Sequence, residues 1–223
     1  MMDGMPRPTG RIGRPPTTSR PQILEAARVI LDSEGWHKLT VRRLATELGV
    51  GATTLYHHVR DKDDLMIQLL DYYASRLKRP EMPEDPRERI LVAATVMHDS
   101  LAAWPEAVEV LTADDLLGES ALWMVDAIVG GAIGCGRTPE EAVELYRTIW
   151  YYTAGEILVR VRAARRAGED RPRYRDTVFG KLDEARFPSL AAIGERWPEL
   201  AERDTFARGL RAFVDGMLAQ ESR

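Results

Sequence analysis

Apolar residues recur along most of the chain at helical spacing, and no segment shows the strict alternation typical of a β-strand. The clearest early stripe follows the pattern i, i+3, i+4, i+7, i+8 and consists of Ile23, Ala26, Ala27, Ile30 and Leu31. A stripe of this width forms the buried face of an amphipathic helix. The pattern therefore predicts a first helix from Pro21 to about Glu34.

Three further helices are predicted soon after it. Thr40 is a typical N-cap for a second helix, which ends at Gly49 and has the inner-face residues Val41, Leu44, Ala45 and Leu48. A short third helix is predicted at about 52–58, and a fourth, N-capped by Asp61, runs to about Leu77. Three helices in which the second and third are joined by a turn containing glycine form a helix-turn-helix.

Prolines divide the chain into regions. Pro80, Pro83 and Pro86 interrupt the helical pattern, so a domain boundary is expected just before them. Residues 1–20 contain four Pro, three Gly and four Arg without periodicity, which predicts a disordered basic arm. The predicted organisation is thus the arm (1–20), a helix-turn-helix domain (21–79) and a second helical domain (80–223).

The second domain is also predicted to be helical throughout. Helices are expected at roughly 86–103, 106–113, 120–134, 139–166 and 204–220. Segment 167–187 is polar and is predicted to be an irregular loop, with a short helical piece after Pro188. The fold class predicted for the whole chain is all-α.

The distribution of charge is uneven. Residues 1–60 hold nine Arg and Lys against five Asp and Glu, whereas residues 61–223 hold twenty-two against thirty. The overall net charge of −4 therefore combines a basic first region of +4 with an acidic remainder of −8. This asymmetry indicates that only the first region meets a polyanion.

Other bulk features suggest a cytoplasmic protein. The single cysteine, Cys135, excludes an internal disulfide and a cysteine-based metal cluster. No apolar segment of a signal peptide follows the N-terminus. The most apolar uncharged run, residues 127–136, is far shorter than the roughly 20 residues that span a bilayer. We expect no metal, no cofactor and no membrane partner.

The short third helix has the composition of a DNA-reading element. It is uncharged, and only Leu55 and Val59 provide an apolar anchor. Base edges are read through hydrogen bonds and methyl contacts, whereas phosphates attract the charges. A small, neutral helix held by its neighbours fits the major groove, which is about 12 Å wide. The groups suited to such reading are Thr53, Thr54, Tyr56 and His57.

The run from Leu39 to Lys62, LTVRRLATELGVGATTLYHHVRDK, resembles the signature of the TetR family of bacterial transcription regulators. It matches the family pattern T-x-R-x-L-A-x-x-L-G-V-x-x-x-T-L-Y-x-H-V-x-x-K at every defined position. Near the C-terminus, residues 187–191 and 206–217 resemble more weakly the ligand domain of the branch nearest the tetracycline repressors. The resemblance implies a helix-turn-helix followed by a ligand-binding and dimerisation domain.

The resemblance also implies roles for individual residues. Arg42 matches an arginine that binds guanine, a pairing for which the guanidinium has the right bidentate geometry. Ala52 stands where the tetracycline repressors have glutamine, and its methyl group allows a contact with a thymine methyl instead of a hydrogen bond to adenine. The predicted base-facing residues are Thr53, Thr54 and His57, and the predicted phosphate or groove-edge contacts are Thr40, Tyr56 and Lys62.

Two further features of the first region bear on DNA or metal binding. The segment GRIGRPP at 10–16 resembles a hook in which Arg14 enters a minor groove, with a flexible tail as the equal alternative. The pair His57 and His58 is a poor metal site, because adjacent helical side chains point about 100° apart and no third ligand is near.

Candidates for a ligand cavity lie in the second domain. They are the side chains of Met97, His98, Trp104, Trp123, Trp150 and Tyr151. Large aromatic groups from different helices require either mutual contact or a cavity. His98 shares a helical face with Ile90 and Leu101, so it is either a hydrogen-bonded core histidine or a ligand contact.

The long predicted helix at 139–166 is apolar on two sides and must be covered on both. The last helix carries a continuous apolar stripe of Phe206, Leu210, Phe213, Val214, Met217 and Leu218. In the TetR family the corresponding helices pair across a two-fold axis into a four-helix bundle, so the resemblance implies a homodimer.

The resemblance therefore implies a ligand-responsive repressor that binds a palindromic operator in double-stranded DNA and is released by a small-molecule effector. Two alternatives remain: a helical small-molecule-binding protein or enzyme with an accessory helix-turn-helix, and a helix-turn-helix used only to bind proteins. The sequence offers no paired carboxylates, nucleophile elbow, phosphate loop or metal-ligand spacing in support of an enzyme.

Overall fold

A computed structural model describes residues 18–113, 116–167, 174–179 and 181–220 of the chain. Within these ranges all regular structure is helical, which confirms the predicted fold class. The chain divides into two compact units, the first ending at Tyr72 and the second beginning at Tyr73. This division falls ahead of Pro80, inside a helix that the sequence analysis places in the first domain.

The first unit contains a three-helix arrangement and most of a fourth helix. Its elements are α1 (Arg20–Glu34), a 3₁₀ turn (Trp36–Lys38), α2 (Val41–Leu48), α3 (Ala52–Tyr56) and α4 (Lys62–Ala74). Helix α1 begins with a capping box, because Ser19 Oγ accepts from Gln22 N and Gln22 Oε1 accepts from Ser19 N. Arg20, predicted to belong to the arm, is therefore the first residue of α1.

The core of the first unit draws large apolar side chains from every one of its helices. Those with the lowest exposure are Ile23, Leu24, Ile30, Leu31, Leu39, Leu44, Leu55, Leu65, Met66 and Leu69. Burial of each side chain of this size stabilises the fold by roughly 1.5–3 kcal/mol. Helix α3 is too short to be stable alone in water, so it depends on this shared core.

The second unit contains eight α-helices within the described ranges. They are α5 (Pro86–Ala102), α6 (Pro105–Ala113), α7 (Leu122–Gly134), α8 (Pro139–Ala167), α9 (Tyr174–Phe179), α10 (Pro188–Ala191), α11 (Trp197–Ala201) and α12 (Phe206–Leu218). Its main core lies among α5, α7, α8 and α12, and Ile90, Ile128, Leu145 and Val214 are buried there. A smaller core joins α6 to α8 through Val108, Ala154 and Ile157.

Two glycines let α7 approach α5 closely. A Cβ added at Gly131 would lie 2.6 Å from Ile90 Cγ1 and 2.7 Å from the carbonyl oxygen of Pro86. A Cβ at Gly134 would lie 2.9 Å from Pro86 Cβ. Side chains larger than hydrogen would therefore push the two helices apart at this end of α5.

Two elements of the second unit contradict the predicted pattern. The segment 167–187, predicted to be an irregular loop, contains helix α9, and α11 was not predicted at all. The rings of Phe179 in α9 and Trp197 in α11 stack with their centroids 4.3 Å apart. Helices of five or six residues are too short to show an apolar period, and a contact between distant residues holds these two in place.

Candidate nucleic-acid interface

The turn between α2 and α3 is built from the residues predicted to make it. Thr40 Oγ1 accepts a hydrogen bond from Arg43 N at 3.1 Å and caps α2, as predicted. Gly49 ends the helix in the left-handed conformation, with φ of 65°, where a side chain would be strained. The N–H of Val50 then donates to the carbonyl of Ala45 at 3.0 Å and fixes the direction in which α3 departs.

Helix α3 exposes the side chains that the sequence assigns to base reading. Ala52, Thr53, Tyr56 and His57, which we call the recognition surface, are all exposed, and Thr54 is partly exposed. On the opposite side Leu55 and Val59 are buried in the core, as predicted. The helix ends at Tyr56, earlier than the predicted residue 58, because His57 and His58 already form the turn to α4.

The neighbouring residues Arg42 and Arg43 at the start of α2 have different environments. Arg43 donates to Glu34 of α1 and to Glu47 of α2, in both cases at 2.7 Å. Arg42 is exposed and has no acidic partner among the described residues. Arg43 therefore fastens α1 to α2, whereas the exposed guanidinium of Arg42 stays free of an acidic partner in the part of the chain that the structure describes.

The start of α4 is fixed by a network of short hydrogen bonds. Asp61 Oδ1 accepts from Asp64 N at 2.8 Å, which confirms Asp61 as the N-cap. Asp64 Oδ2 in turn accepts from Arg60 N at 2.8 Å and from Gln68 Nε2 at 3.0 Å. The backbone N–H of Arg60 is the main cause that holds the pKa of the Asp64 carboxyl below its ordinary value.

Lys62, predicted to bind a phosphate, is the first residue of α4 and is half-buried. Its Nζ lies 4.0 Å from the centroid of the Trp36 ring. Trp36 was not predicted from the sequence, because one aromatic residue in a loop carries no periodic signal. Arg14 and the rest of the predicted minor-groove hook lie outside the described residues.

The six side chains predicted to line a ligand cavity do not share one environment. Met97 and Trp104 are buried, whereas Trp123 and Trp150 are partly buried against the main core. Trp150 also packs against the smaller core, so it lies at the junction of the two. Tyr151 is 59% exposed and accepts a hydrogen bond from Arg147, so it faces away from the interior.

His98 has partners for both ring nitrogens. Its Nδ1 lies 3.0 Å from Asp99 Oδ1, and its Nε2 lies 3.1 Å from Glu156 Oε2. The imidazole also stacks on Phe206, with ring centroids 3.6 Å apart. His98 therefore corresponds to the hydrogen-bonded core histidine, and it connects α5 to α8 and α12.

The polar network continues from Glu156 to the start of α12. Arg160 forms ion pairs with Glu156 and with Asp204, the latter at 3.4 Å. The backbone N–H of Phe206, followed by Arg160, lowers the pKa of the Asp204 carboxyl. Glu156 is thus a paired group on the inner side of α8.

Thr153 is a residue of the interior that the sequence analysis missed. It lies on α8, it is fully buried, and its hydroxyl has no hydrogen-bond partner among the described residues. Its neighbour one turn earlier, Ile149, belongs to the main core, and Ile157 one turn later belongs to the smaller core. A buried hydroxyl without a partner is costly, and a ligand or a water molecule usually explains one.

The described ranges also bear on metal binding and on membrane insertion. No three or more His, Cys, Asp or Glu side chains come together there in a way that would hold a metal ion. None of the described helices combines the length and the apolar character needed to cross a membrane.

A helix-turn-helix with an exposed recognition surface, followed by a larger helical unit, defines a regulator of transcription. The family described as bacterial regulatory proteins, tetR family, matches residues 23–69, and the tetracycline-repressor-like C-terminal domain matches residues 79–221. The chain therefore belongs to the tetR family of bacterial regulatory proteins. The resemblance is confirmed, and the enzyme alternative is wrong, because the family and the relatives of this chain are transcription regulators.

Relatives and solved structures resemble the chain over most of its length. The transcriptional repressor DrrR1 of Streptomyces coeruleorubidus is 30% identical over an alignment of 220 residues, and the match covers 92% of this chain and 79% of DrrR1. ActR of Streptomyces coelicolor in complex with actinorhodin has a TM-score of 0.71 at 23% identity and covers 91% of this chain and 97% of its own. BioQ with its double-stranded DNA operator has a TM-score of 0.62 at 23% identity and covers 91% of this chain and 99% of its own.

Proposed function

We propose that the chain is a cytoplasmic transcriptional repressor that binds a palindromic operator as a homodimer and leaves it when a small-molecule effector binds. The observation that carries the DNA-binding part is the exposed, uncharged recognition surface of α3, together with an exposed Arg42 that has no acidic partner among the described residues. A homodimer presents two such surfaces related by two-fold symmetry, which requires a palindrome.

The proposed contacts divide into base reading and phosphate binding. Thr53, Tyr56 and His57 present hydrogen-bonding groups to base edges, and Ala52 presents a methyl group. Arg42 would pair with a guanine, because no carboxylate of the described ranges competes for its guanidinium. These groups carry sequence preference, since only contacts to base edges distinguish one base pair from another.

Phosphate binding is assigned to Thr40 and Lys62, which flank the recognition surface in the sequence. The Thr40 oxygen accepts from the Arg43 N–H, and its hydroxyl hydrogen remains available to a phosphate oxygen. Lys62 combines its own charge with the N-terminal end of α4, where backbone N–H groups favour an anion. The structure of BioQ with its operator supports a DNA partner for proteins of this fold.

The dimer proposal is supported by apolar side chains that α8 and α12 leave exposed. Val143, Tyr151 and Val159 follow one another along α8, and Val159 is 70% exposed. On α12 Phe213 is 42% exposed. Large apolar side chains gathered on two helices are typical of a surface that another protein covers. Analytical ultracentrifugation should find a dimer, and Val159→Glu should shift it toward the monomer.

The effector proposal is supported by the aromatic side chains and by Thr153 in the interior of the second unit. Trp104, Trp150 and Met97 provide apolar surface, and the Thr153 hydroxyl provides a hydrogen-bonding group without a partner. Small-molecule sites are usually of this kind, mostly apolar with a few polar groups. The complex of ActR with actinorhodin supports a ligand for a protein of this fold.

The decisive experiment for DNA binding is the selection of bound fragments from random duplex DNA. A palindrome should be recovered, and its half-site spacing should report the distance between the two recognition helices. Binding should weaken steeply with salt, because phosphate contacts release counterions. Recovery of unrelated fragments, or affinity independent of salt, would contradict the proposal and favour a protein-interaction module.

The effector is tested by a thermal-shift screen followed by operator binding. A ligand can release the operator only if it binds the free and the DNA-bound conformations with different affinity. Compounds that stabilise the protein should therefore weaken operator binding. If every stabilising compound leaves operator affinity unchanged, the effector part of the proposal is wrong while the DNA-binding part stands.

A further inference from the structure

We propose that Trp36 is a positioning residue for Lys62, whose ammonium group it holds in place for contact with a DNA phosphate. The inference rests on the proposed function, because the position of Lys62 matters only if the protein binds DNA. It adds a residue of the loop between α1 and α2 to the DNA-binding machinery.

The geometry places the Trp36 ring beneath the ammonium group. Trp36 opens the 3₁₀ turn directly after Gly35, whose φ of 83° requires a glycine-like conformation where α1 ends. The Lys62 Nζ lies 4.0 Å from the centre of the indole. The His37 ring lies against the same indole at 4.2 Å. Residues far apart in sequence are thereby joined at the two ends of the helix-turn-helix.

An aromatic ring and a carboxylate restrain a lysine side chain in different ways. The indole face attracts the cation but does not neutralise it, so the charge stays available for a second anionic partner. No carboxylate lies within ion-pair distance of Lys62 in the part of the chain that the structure describes. This sets Lys62 apart from Arg43, whose charge is already shared between Glu34 and Glu47.

Restraint of the side chain matters because lysine is long and flexible. Ordering such a side chain on binding costs conformational entropy, and a side chain that is already ordered avoids most of that cost. Without the ring, Lys62 would still reach its phosphate but with a lower affinity. The same reasoning predicts that the number of phosphates bound does not change.

A double-mutant cycle with the recovered operator tests the proposal. Trp36→Leu should weaken operator binding by roughly 2- to 10-fold, the cost of ordering one long side chain, with the salt slope preserved. Lys62→Met should weaken binding and lower the salt slope by about 0.9, the value for one phosphate. In the Lys62→Met background, Trp36→Leu should cause no further loss, because the ring has no ammonium left to hold.

Persistence of the full Trp36→Leu effect in the Lys62→Met background would overturn the proposal, since Trp36 would then act through the fold. So would a Trp36→Leu variant with unchanged affinity. If Trp36→Leu does not fold, Trp36→Tyr and Trp36→Phe give the same test, because attraction for a cation is strongest for tryptophan. Operator affinity should fall in these variants only when Lys62 is present. If both variants bind the operator as tightly as the unaltered protein, the proposal is wrong. Failure of the proposed function itself looks different: the unaltered protein would then show no sequence-specific, salt-dependent DNA binding.

Discussion

Replacing Gly131 with alanine would place a methyl group against helix α5, where no space exists. The new Cβ would meet Ile90 Cγ1 at 2.6 Å and the Pro86 carbonyl oxygen at 2.7 Å. Ile90 is fully buried and has little room to move, and the Pro86 oxygen belongs to the backbone. The preceding residue, Gly130, is a matched control, because it is exposed and a Cβ there meets nothing within 4 Å.

The two substitutions share one favourable effect and differ in one unfavourable effect. Alanine is preferred over glycine inside a helix by about 1 kcal/mol, so Gly130→Ala should stabilise the protein by up to that amount. Gly131→Ala gains the same preference but adds an overpacking cost of roughly 1–3 kcal/mol. The difference between the variants should therefore be about 1–3 kcal/mol, with Gly131→Ala the less stable.

Urea unfolding monitored by circular dichroism measures this difference, and a thermal scan gives a second reading. For a chain of about this size, each 1 kcal/mol shifts the melting temperature by about 2–4 °C, so the variants should melt roughly 2–12 °C apart. Equal stability of Gly131→Ala and Gly130→Ala would refute the reasoning, because α5 and α7 would then be able to accommodate a methyl group at Gly131.

Three other outcomes are expected. Arg42→Ala should weaken operator binding by about 1–3 kcal/mol and relax one base preference in a selection experiment, whereas Arg43→Ala should leave the preferred sequence unchanged; the reverse result would exchange their roles. Thr153→Val should raise the free energy of unfolding by about 1–3 kcal/mol, because it removes a buried hydroxyl without a partner among the described residues. The control Thr148→Val should not, since the Thr148 hydroxyl donates to the Glu144 carbonyl at 2.9 Å. A destabilised Thr153→Val variant would show that the Thr153 hydroxyl is satisfied. Asp64→Asn should destabilise the first unit at neutral pH, because folding lowers the pKa of the Asp64 carboxyl and the ionised group therefore stabilises the fold. Urea titrations should find the stability difference from the unaltered protein shrinking as pH falls below the ordinary aspartate pKa, since protonation removes this contribution. A pH-independent difference would point to steric causes.

The helix-turn-helix was predictable in detail because its signals are local. The spacing of Ile23, Ala27 and Ile30 records a buried helical face, and caps such as Thr40 act within four residues of their partners. The different environments of Arg42 and Arg43 were not predictable from their adjacency. They depend on Glu34, nine residues away, which only the folded chain brings to Arg43.

The second unit was harder to predict because its informative contacts are distant in sequence. The His98 and Glu156 pair spans 58 residues, and no periodic pattern reports it. Tyr151 and Trp150 looked equivalent as neighbouring aromatic residues, yet the turn of α8 exposes the first and packs the second. Thr153 carries no sequence signal as a buried, unpartnered hydroxyl, because threonine is common at every depth in a helix.

In helix α3, the residues that anchor it in the core are different from the residues that face solvent. Leu55 and the following Val59 fix its place, while Ala52, Thr53 and Tyr56 stand in solvent and contribute little to folding. Mutational drift at the solvent-facing positions is therefore nearly free of a folding penalty. Under the proposed function, a lineage of such proteins can therefore acquire new target sequences rapidly, and a library randomised at those three positions should yield mostly folded variants with altered operator choice.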